Sequence, residues 1–187
     1  MESQLIAIIP YEFLLCRDAD TKCDQIAAKH ILQQHQTRVI DREGYRHVHV
    51  RRSHLFSDAS KAFSRSSFTV SKMLKVVFIG DASVDEGGPR REFFQLLMKE
   101  SFSLSGLFAG WPSNVVPIHN VEAVTSNKYF VVGKMIATSL VQGGQPPVCF
   151  APAVAEYLVF NEVRSKPALG DVYDCSVRQK LDKVYFF

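Results

Sequence analysis

The chain has little of what stapled, secreted or membrane-spanning proteins depend on. Only four of its 187 residues are cysteine (Cys16, Cys23, Cys149, Cys175), and no two form a CxxC pair. That spacing excludes a zinc ribbon and a thioredoxin-type redox motif. So few thiols in a chain of this length suit a reducing compartment, and cytoplasm or nucleus is the expectation. Long apolar runs are also missing, since no stretch approaches the ~20 residues of a membrane helix. The most apolar early segment, residues 5–9 before Pro10, is short, follows the acidic Glu2 and lacks a small-residue cleavage site. It reads as a docked strand or helix turn rather than a signal peptide. Charge of one sign is scarce: 22 Lys+Arg against 19 Asp+Glu leave +3, and no basic stripe concentrates the excess as nucleic-acid binding requires. Neither an internal repeat nor a low-complexity segment is present.

What is there has the balance of a globular chain, with 47% hydrophobic and 22% charged residues, enough for one domain or one with an appendage. A helical pattern begins after Asp20, with Thr21 and Asp24 spaced as in a capping box and Ile26, Ala27 and Ile31 behind them. Residues 39–46 are polar and turn-like around Gly44, and a domain boundary is expected there, leaving residues 1–45 as an N-terminal extension. His47-Val48-His49-Val50 alternates as a half-buried strand does. Ser53 is placed to cap a short helix carrying Leu55, Phe56, Ala59, Ala62 and Phe63. Residues 75–79 form the clearest strand, apolar enough for burial on both faces. An acidic, glycine-rich loop over 80–88 follows, and Pro89 opens a helix over 90–102 with Phe93, Phe94, Leu96, Leu97 and Met98.

Residues 104–124, with Trp111 and two prolines, read as irregular and are long for a loop inside a domain. The best periodicity in the chain comes next. Tyr129, Phe130, Val132, Gly133, Ile136, Ala137, Leu140 and Val141 line one wide apolar face of a buried helix, with Thr125 or Ser126 as its cap and Gly143-Gly144 as its stop. Pro152 opens another short helix through Val159, and Val177, Leu181 and Val184 outline a last one. The fold class is mainly α with a minor β component (α+β).

Four constellations bear on chemistry. The strand, glycine loop and helix over 75–102 have the layout of a phosphate-binding loop. However, the loop lacks the Gly-Lys-Ser/Thr ending, carries Asp81, Asp85 and Glu86, and places Pro89 where a backbone donor is needed. Acids at a helix N-terminus and glycines in a tight turn are structural features in their own right. The pairs Arg51-Arg52 and Arg90-Arg91 would serve nucleic acid only on a basic stripe with aromatic platforms. Arg90 and Arg91 instead stand among Asp85, Glu86 and Glu92, where ion pairs absorb their charge. Of the six histidines, His30 and His35 do not align on a helix face. His47 and His49 share one face of a strand, and two ligands are too few for a catalytic zinc. Among the cysteines, Cys149 has apolar neighbours and none has a local signature of activation. No metal or cofactor is expected.

A more specific pattern runs from Val50-Arg51-Arg52-Ser53 onward. Val76-Val77-Phe78-Ile79-Gly80 precedes Val84-Asp85-Glu86-Gly87-Gly88-Pro89-Arg90-Arg91-Glu92-Phe93-Phe94, and Gly106-Leu107-Phe108 and Gly133-Lys134-Met135-Ile136-Ala137 follow in order. This series resembles the opening of a HECT-type ubiquitin ligase domain, in which a strand, an Asp-x-Gly-Gly turn and an Arg-Glu-Phe/Trp-Phe helix recur together. The resemblance covers about 130 residues, and residues 1–45 take no part in it. It implies that 46–187 are the large helical subdomain of an N-terminal lobe, in incomplete form. It also implies a process, ubiquitin transfer through a cysteine thioester, with a ubiquitin-conjugating enzyme and ubiquitin as partners.

The subdomain that docks the conjugating enzyme and the lobe that carries the family's cysteine, in a Thr-Cys context, have no counterpart here. None of the four cysteines therefore inherits the nucleophile's role, and no catalytic residue is assigned. The matching residues Asp85, Gly87, Gly88, Arg91, Glu92, Phe93, Phe94 and Gly133 are read as architecture that fixes strand to helix. Two other readings stay open: a non-catalytic, HECT-derived interaction protein, and a nucleic-acid module using Arg51, Arg52, Arg90 and Arg91. The apolar end, Tyr185-Phe186-Phe187, suggests an exposed patch and association. Neither membrane nor nucleic acid is an expected partner.

Overall fold

The computed structural model describes residues 22–81, 88–166 and 168–185. Helix α1 (Lys22–Val39) leads into strand β1 (Asp41–Val50), and a single 3-10 turn, Arg52–His54, hands over to α2 (Leu55–Phe63). Strand β2 (Lys72–Phe78) then pairs in parallel with β1, setting Val48 opposite Val76 and Val50 opposite Phe78. A parallel pair needs a crossover, and α2 supplies it. Helix α3 (Gly88–Ser103) is followed by an antiparallel hairpin, β3 (Phe108–Trp111) and β4 (Asn114–Pro117). Four more helices complete the described chain: α4 (Val121–Thr125), α5 (Lys128–Val141), α6 (Pro152–Phe160) and α7 (Cys175–Tyr185). The mixture is α+β and mainly helical.

Helix α5 is the centre of the packing. Its Val132, Met135, Ile136 and Leu140 are buried together with Leu55, Ala59 and Phe63 of α2, Phe93, Phe94 and Leu97 of α3, and Val48, Val50, Leu74, Val76 and Phe78 on the inner face of the sheet. Each large apolar side chain taken out of water there contributes about 1.5–3 kcal/mol before chain entropy is counted. Phe63 and Phe68 stack at 4.1 Å between ring centroids. A second aromatic group, Phe102, Phe108 and Phe150, ties the end of α3 to the hairpin and to the chain after α5.

The helices over 90–102, 129–141 and 152–159 stand where the sequence puts them, because their apolar periodicity coincides with what the core buries. Several local readings change. Residues 39–46 are not a free turn: from Asp41 they are strand, with a register irregularity between Asp41 and Tyr45 around Gly44, whose φ is +83°. Pairing with β2 outweighs the polar composition, and Gly44 accommodates the bulge. Strand β1 thus runs unbroken through residues 45 and 46, and the Gln36 side-chain amide donates to the Leu140 carbonyl at 2.8 Å, joining α1 to α5.

Strand β2 is buried on one face only, with Leu74, Val76 and Phe78 inward and Lys75 and Val77 half-buried. The stretch 104–124 is largely ordered into the hairpin and α4. Its tip, Trp111 opposite Asn114, is enabled by Gly110 at φ +119°.

Two caps also differ. Ser53 does not cap α2; its hydroxyl meets the His54 ring at 2.8 Å, and the Phe56 N–H of the first turn donates instead to the Glu100 carboxylate of α3. Asn127, left-handed at φ 56°, precedes α5 in place of Thr125 or Ser126, whose hydroxyls donate back to the Glu122 carbonyl. The Thr21 cap lies outside the described residues.

Candidate functional site

The two ends of the acidic loop are held by Arg52. Its position directly after β1 brings it over the end of β2, where its guanidinium lies 4.1 Å from the centre of the Phe78 ring. One nitrogen donates to Glu92 Oε1 at 2.6 Å, and Nη2 and Nε donate to Asp81 Oδ2 at 2.8 and 3.1 Å. Asp81 closes the turn after β2 and Glu92 lies just past the first turn of α3, so one planar fork spans the strand end and the N-terminal part of the helix. Its hydrogen bonds to Glu92, and then to Asp81, raise Arg52 further above its ordinary value, and Arg52 in turn holds the Glu92 carboxyl below the usual range. Gly80, at φ +97°, makes the turn that brings Asp81 within reach.

The neighbouring Arg51 is engaged as fully. Its side chain donates twice to Asp58, at 2.7 and 2.9 Å, and its backbone N–H donates to the same carboxylate at 3.1 Å. Asp58 is consequently held well below the usual carboxylate range. Both arginines of this pair are therefore internal fasteners, a use that gives a nucleic-acid reading no support. Glu92, expected among the partners of Arg90 and Arg91, is turned toward Arg52 instead, because the β1–β2 pairing places a guanidinium above the helix start. Arg91 is exposed, and Arg90 is half-buried with its Nε lacking an acceptor.

Of the motif residues, Gly88 begins α3, Phe93 and Phe94 are core, and Gly133 lies half-buried on α5. Asp85 and Gly87 lie outside the described residues. Lys134, beside Gly133, donates to the Phe63 carbonyl at 2.7 Å and so serves the C-terminal end of α2. Its ammonium sits 5.1 Å from the Phe68 ring centre, which Arg46 approaches from 5.4 Å. Burial, and secondarily the charge of Arg46, push Lys134 down from its ordinary value.

The cysteines and histidines come to no catalytic cluster among the described residues. Cys149 is half-buried within Pro147-Val148-Cys149-Phe150, and Cys175 is exposed at the start of α7, its sulfur accepting from Arg178 at 3.3 Å. His47 and His49 do share a face, with ring centroids 6.5 Å apart, but no group of three or more potential metal ligands forms among the described residues.

One concave feature is apolar. A groove of about 570 Å³ opens between α5, α6 and the hairpin, lined by Phe108, Tyr129, Ile136, Phe150, Val154 and Tyr157, with Gly133 in its floor. A Cβ on Gly133 would meet nothing within 4 Å, so that glycine widens the groove rather than relieving a close approach. Sequence periodicity marked Tyr129 and Ile136 as core, and it could not show that α6 leaves part of this face uncovered.

No family model matches the chain. It is 29% identical over 140 residues to the G2/M phase-specific E3 ubiquitin-protein ligase of Homo sapiens, covering 73% of this chain and 20% of that protein. To the protein of the same name from Gallus gallus it is 31% identical over 143 residues, covering 74% and 19%. To the human probable E3 ubiquitin-protein ligase HERC3 it is 31% identical over 132 residues, covering 69% and 12%. The chain thus spans about a fifth or less of the length of these curated relatives.

Proposed function

This chain is a relative of the HECT-type E3 ubiquitin-protein ligases, and on that premise we propose that it serves protein ubiquitination as part of such a ligase. In this reading residues 46–187 are scaffold, the large subdomain of the N-terminal lobe, and residues 1–45 are an extension to it. The chemistry is acyl transfer: ubiquitin passes from a conjugating enzyme to a cysteine of the ligase as a thioester, and then to a substrate lysine. That cysteine is none of Cys16, Cys23, Cys149 and Cys175. The partners are a ubiquitin-conjugating enzyme, ubiquitin and a protein substrate, and the place of action is cytoplasm or nucleus.

The observation that carries the reading is the ordered match over about 70% of the chain to proteins named as E3 ligases. The geometry agrees with a scaffold. Glu92, Phe93 and Phe94 of the matching helix serve the Arg52 fastener and the core.

A ubiquitin-charging assay tests it, with the purified chain, activating enzyme, a panel of conjugating enzymes and ubiquitin, run on reducing and non-reducing gels. The chain alone is expected to form no thiol-sensitive adduct, and joined to the C-terminal remainder of the human G2/M phase-specific ligase it is expected to form one. An adduct on the chain alone that disappears on mutating one of its four cysteines would overturn the scaffold reading. Failure of the folded chimaera to charge would overturn the ligase reading.

A further inference from the structure

We propose that Ser67 is a phosphorylation site whose phosphate is received by Arg46 and Lys134 at the turn following α2. The turn is Ser64-Arg65-Ser66-Ser67, with all four residues exposed, and the Phe68 N–H closes it by donating to the Arg65 carbonyl at 3.0 Å. Two cations from distant elements hold its ends. Lys134 of α5 donates to the Phe63 carbonyl at 2.7 Å, just before the turn, and Arg46 of β1 donates to the Ser67 carbonyl at 2.6 Å. Both also lie against the ring of Phe68, the next residue, at 5.1 and 5.4 Å from its centre.

What this cluster lacks is an anion. Among the described residues no carboxylate lies within 4.0 Å of Arg46, Arg65 or Lys134, whereas Arg51 and Arg52 nearby in the chain are both paired. The Nε of Arg46 is buried and donates to nothing among the described residues. Lys134 has three donors, of which the Phe63 carbonyl takes one. Burial, and then the charge of Arg46, push Lys134 below its ordinary value, as expected for two cations sharing a half-buried place without a counter-charge. An anion that reaches both relieves the repulsion and fills the idle donors.

Ser67 is placed to bring that anion in. Its own carbonyl already touches Arg46, so a phosphate on its side chain stands a few bonds from the same guanidinium. Its hydroxyl has no partner among the described residues, whereas that of Ser64 is spent on the Ser60 carbonyl at 2.6 Å. A serine kinase using a nucleoside triphosphate forms the Oγ–P bond, breaks the bond from the γ-phosphorus to the bridging oxygen, and takes up the hydroxyl proton on its base. The product carries close to two negative charges and three strong acceptor oxygens, which suit the planar fork of Arg46 and the remaining donors of Lys134. One ionic cluster then joins β1, the end of α2 and α5.

The full 187-residue chain, synthesised with phosphoserine in place of Ser67, tests this by thermal melting and phosphorus NMR. Its melting midpoint is expected to rise by about 2–4 °C over the unmodified chain. The second ionisation of the phosphate is expected to fall below the ~6 of an unconstrained phosphoserine. Arg46→Gln and Lys134→Gln, each measured with and without the phosphate, are expected to lose most of both effects. Should Arg46→Gln fail to fold, Arg46→Lys replaces it, keeping the charge and losing the fork. Phosphoserine in place of the exposed Ser57, beside Asp58, controls for added charge and is expected to give neither effect. Mass spectrometry of the chain expressed in eukaryotic cells is expected to find phosphate on Ser67. Equal midpoint gains at the two positions, an unshifted ionisation, effects that survive both substitutions, or an unmodified Ser67 in those cells would each overturn the proposal. So would inorganic phosphate that stabilises the unmodified chain as much as the phosphoserine does, since the cluster would then be a site for a free anion.

Discussion

Gln142 acts toward Leu74 as a neighbouring strand would. Its Oε1 accepts the Leu74 backbone N–H at 2.9 Å, and its Nε2 donates to the Lys72 carbonyl at 2.9 Å. A single side chain at the end of α5 thus satisfies a backbone donor and acceptor of β2 that β1 leaves unpaired. Gln142 is itself buried, so neither group has water as an alternative.

Replacing Gln142 with Leu removes both bonds while keeping the bulk. The Leu74 N–H and Lys72 C=O are then buried without partners, at a cost of about 1–3 kcal/mol in folding stability. Urea unfolding measures it. Gln142→Glu is expected to be destabilising too, because a carboxylate cannot donate to Lys72. An unchanged unfolding midpoint for the Leu variant would show that β2 does not depend on this contact.

Gly144 lies against Ser139 of the preceding helix. A Cβ at 144 would fall 2.0 Å from the Ser139 hydroxyl oxygen and 2.9 Å from its carbonyl oxygen. Gly144→Ala is therefore expected to destabilise by about 1–3 kcal/mol, the range for overpacking a filled site. Adding Ser139→Ala relieves the hydroxyl clash but not the carbonyl one, so the double variant is expected to recover only part of the loss. A double-mutant cycle with no coupling between the two positions would contradict this geometry.

Arg52 contacts two carboxylates and one ring, and no ammonium reproduces that. Arg52→Lys is expected to lower the thermal midpoint nearly as far as Arg52→Ala, because a point charge neither bridges Asp81 and Glu92 nor stacks flat on Phe78. The fastener is exposed, so the gap between wild type and variants is expected to narrow in high salt. Thermal melts of all three proteins at low and high ionic strength decide it; a Lys variant as stable as the wild type would reduce Arg52 to a simple charge.

Acid is expected to weaken the fold from about pH 5 downward. Asp58 is held low by the hydrogen-bonding guanidinium of Arg51, Glu92 by that of Arg52, Glu156 by the N–H groups of Ser165 and Arg164, and Asp174 by the Ser176 hydroxyl. A carboxyl whose folded value lies below its unfolded one, about 3.9 for Asp and 4.3 for Glu, stabilises fully above the unfolded value. That contribution is lost as pH falls toward the folded value. Asp58→Asn is expected to lower the midpoint at pH 7 and to flatten its decline between pH 5 and pH 3. A wild-type melting temperature constant over that interval would contradict these assignments.

Element type was legible in the residues wherever periodicity and burial coincide, as in α3, α5 and α6. The kinship to HECT-type ligases was legible as well, since an ordered series of short motifs survives in linear order without regard to packing. The bulge at Gly44 and the hairpin at 108–117 were not, because their strands are short or polar and exist only through pairing with distant residues. The candidate site divides in the same way. Phe93 and Phe94 were marked as core by spacing, whereas Glu92 was assigned to the arginines beside it in sequence and pairs instead with Arg52, forty positions away.

By itself the sequence determined which segments can be helix, that the described core centres on the apolar face of residues 129–141, and which family the chain resembles. Those properties follow from local side-chain chemistry repeated at a helical or strand period. Only the tertiary structure decided which charges pair, which side chain covers the edge of β2, and which apolar faces are left without cover. These are long-range matters: Gln142 reaches Leu74 and Arg52 reaches Glu92 only after the chain between them has folded back, and nothing in linear order encodes that return.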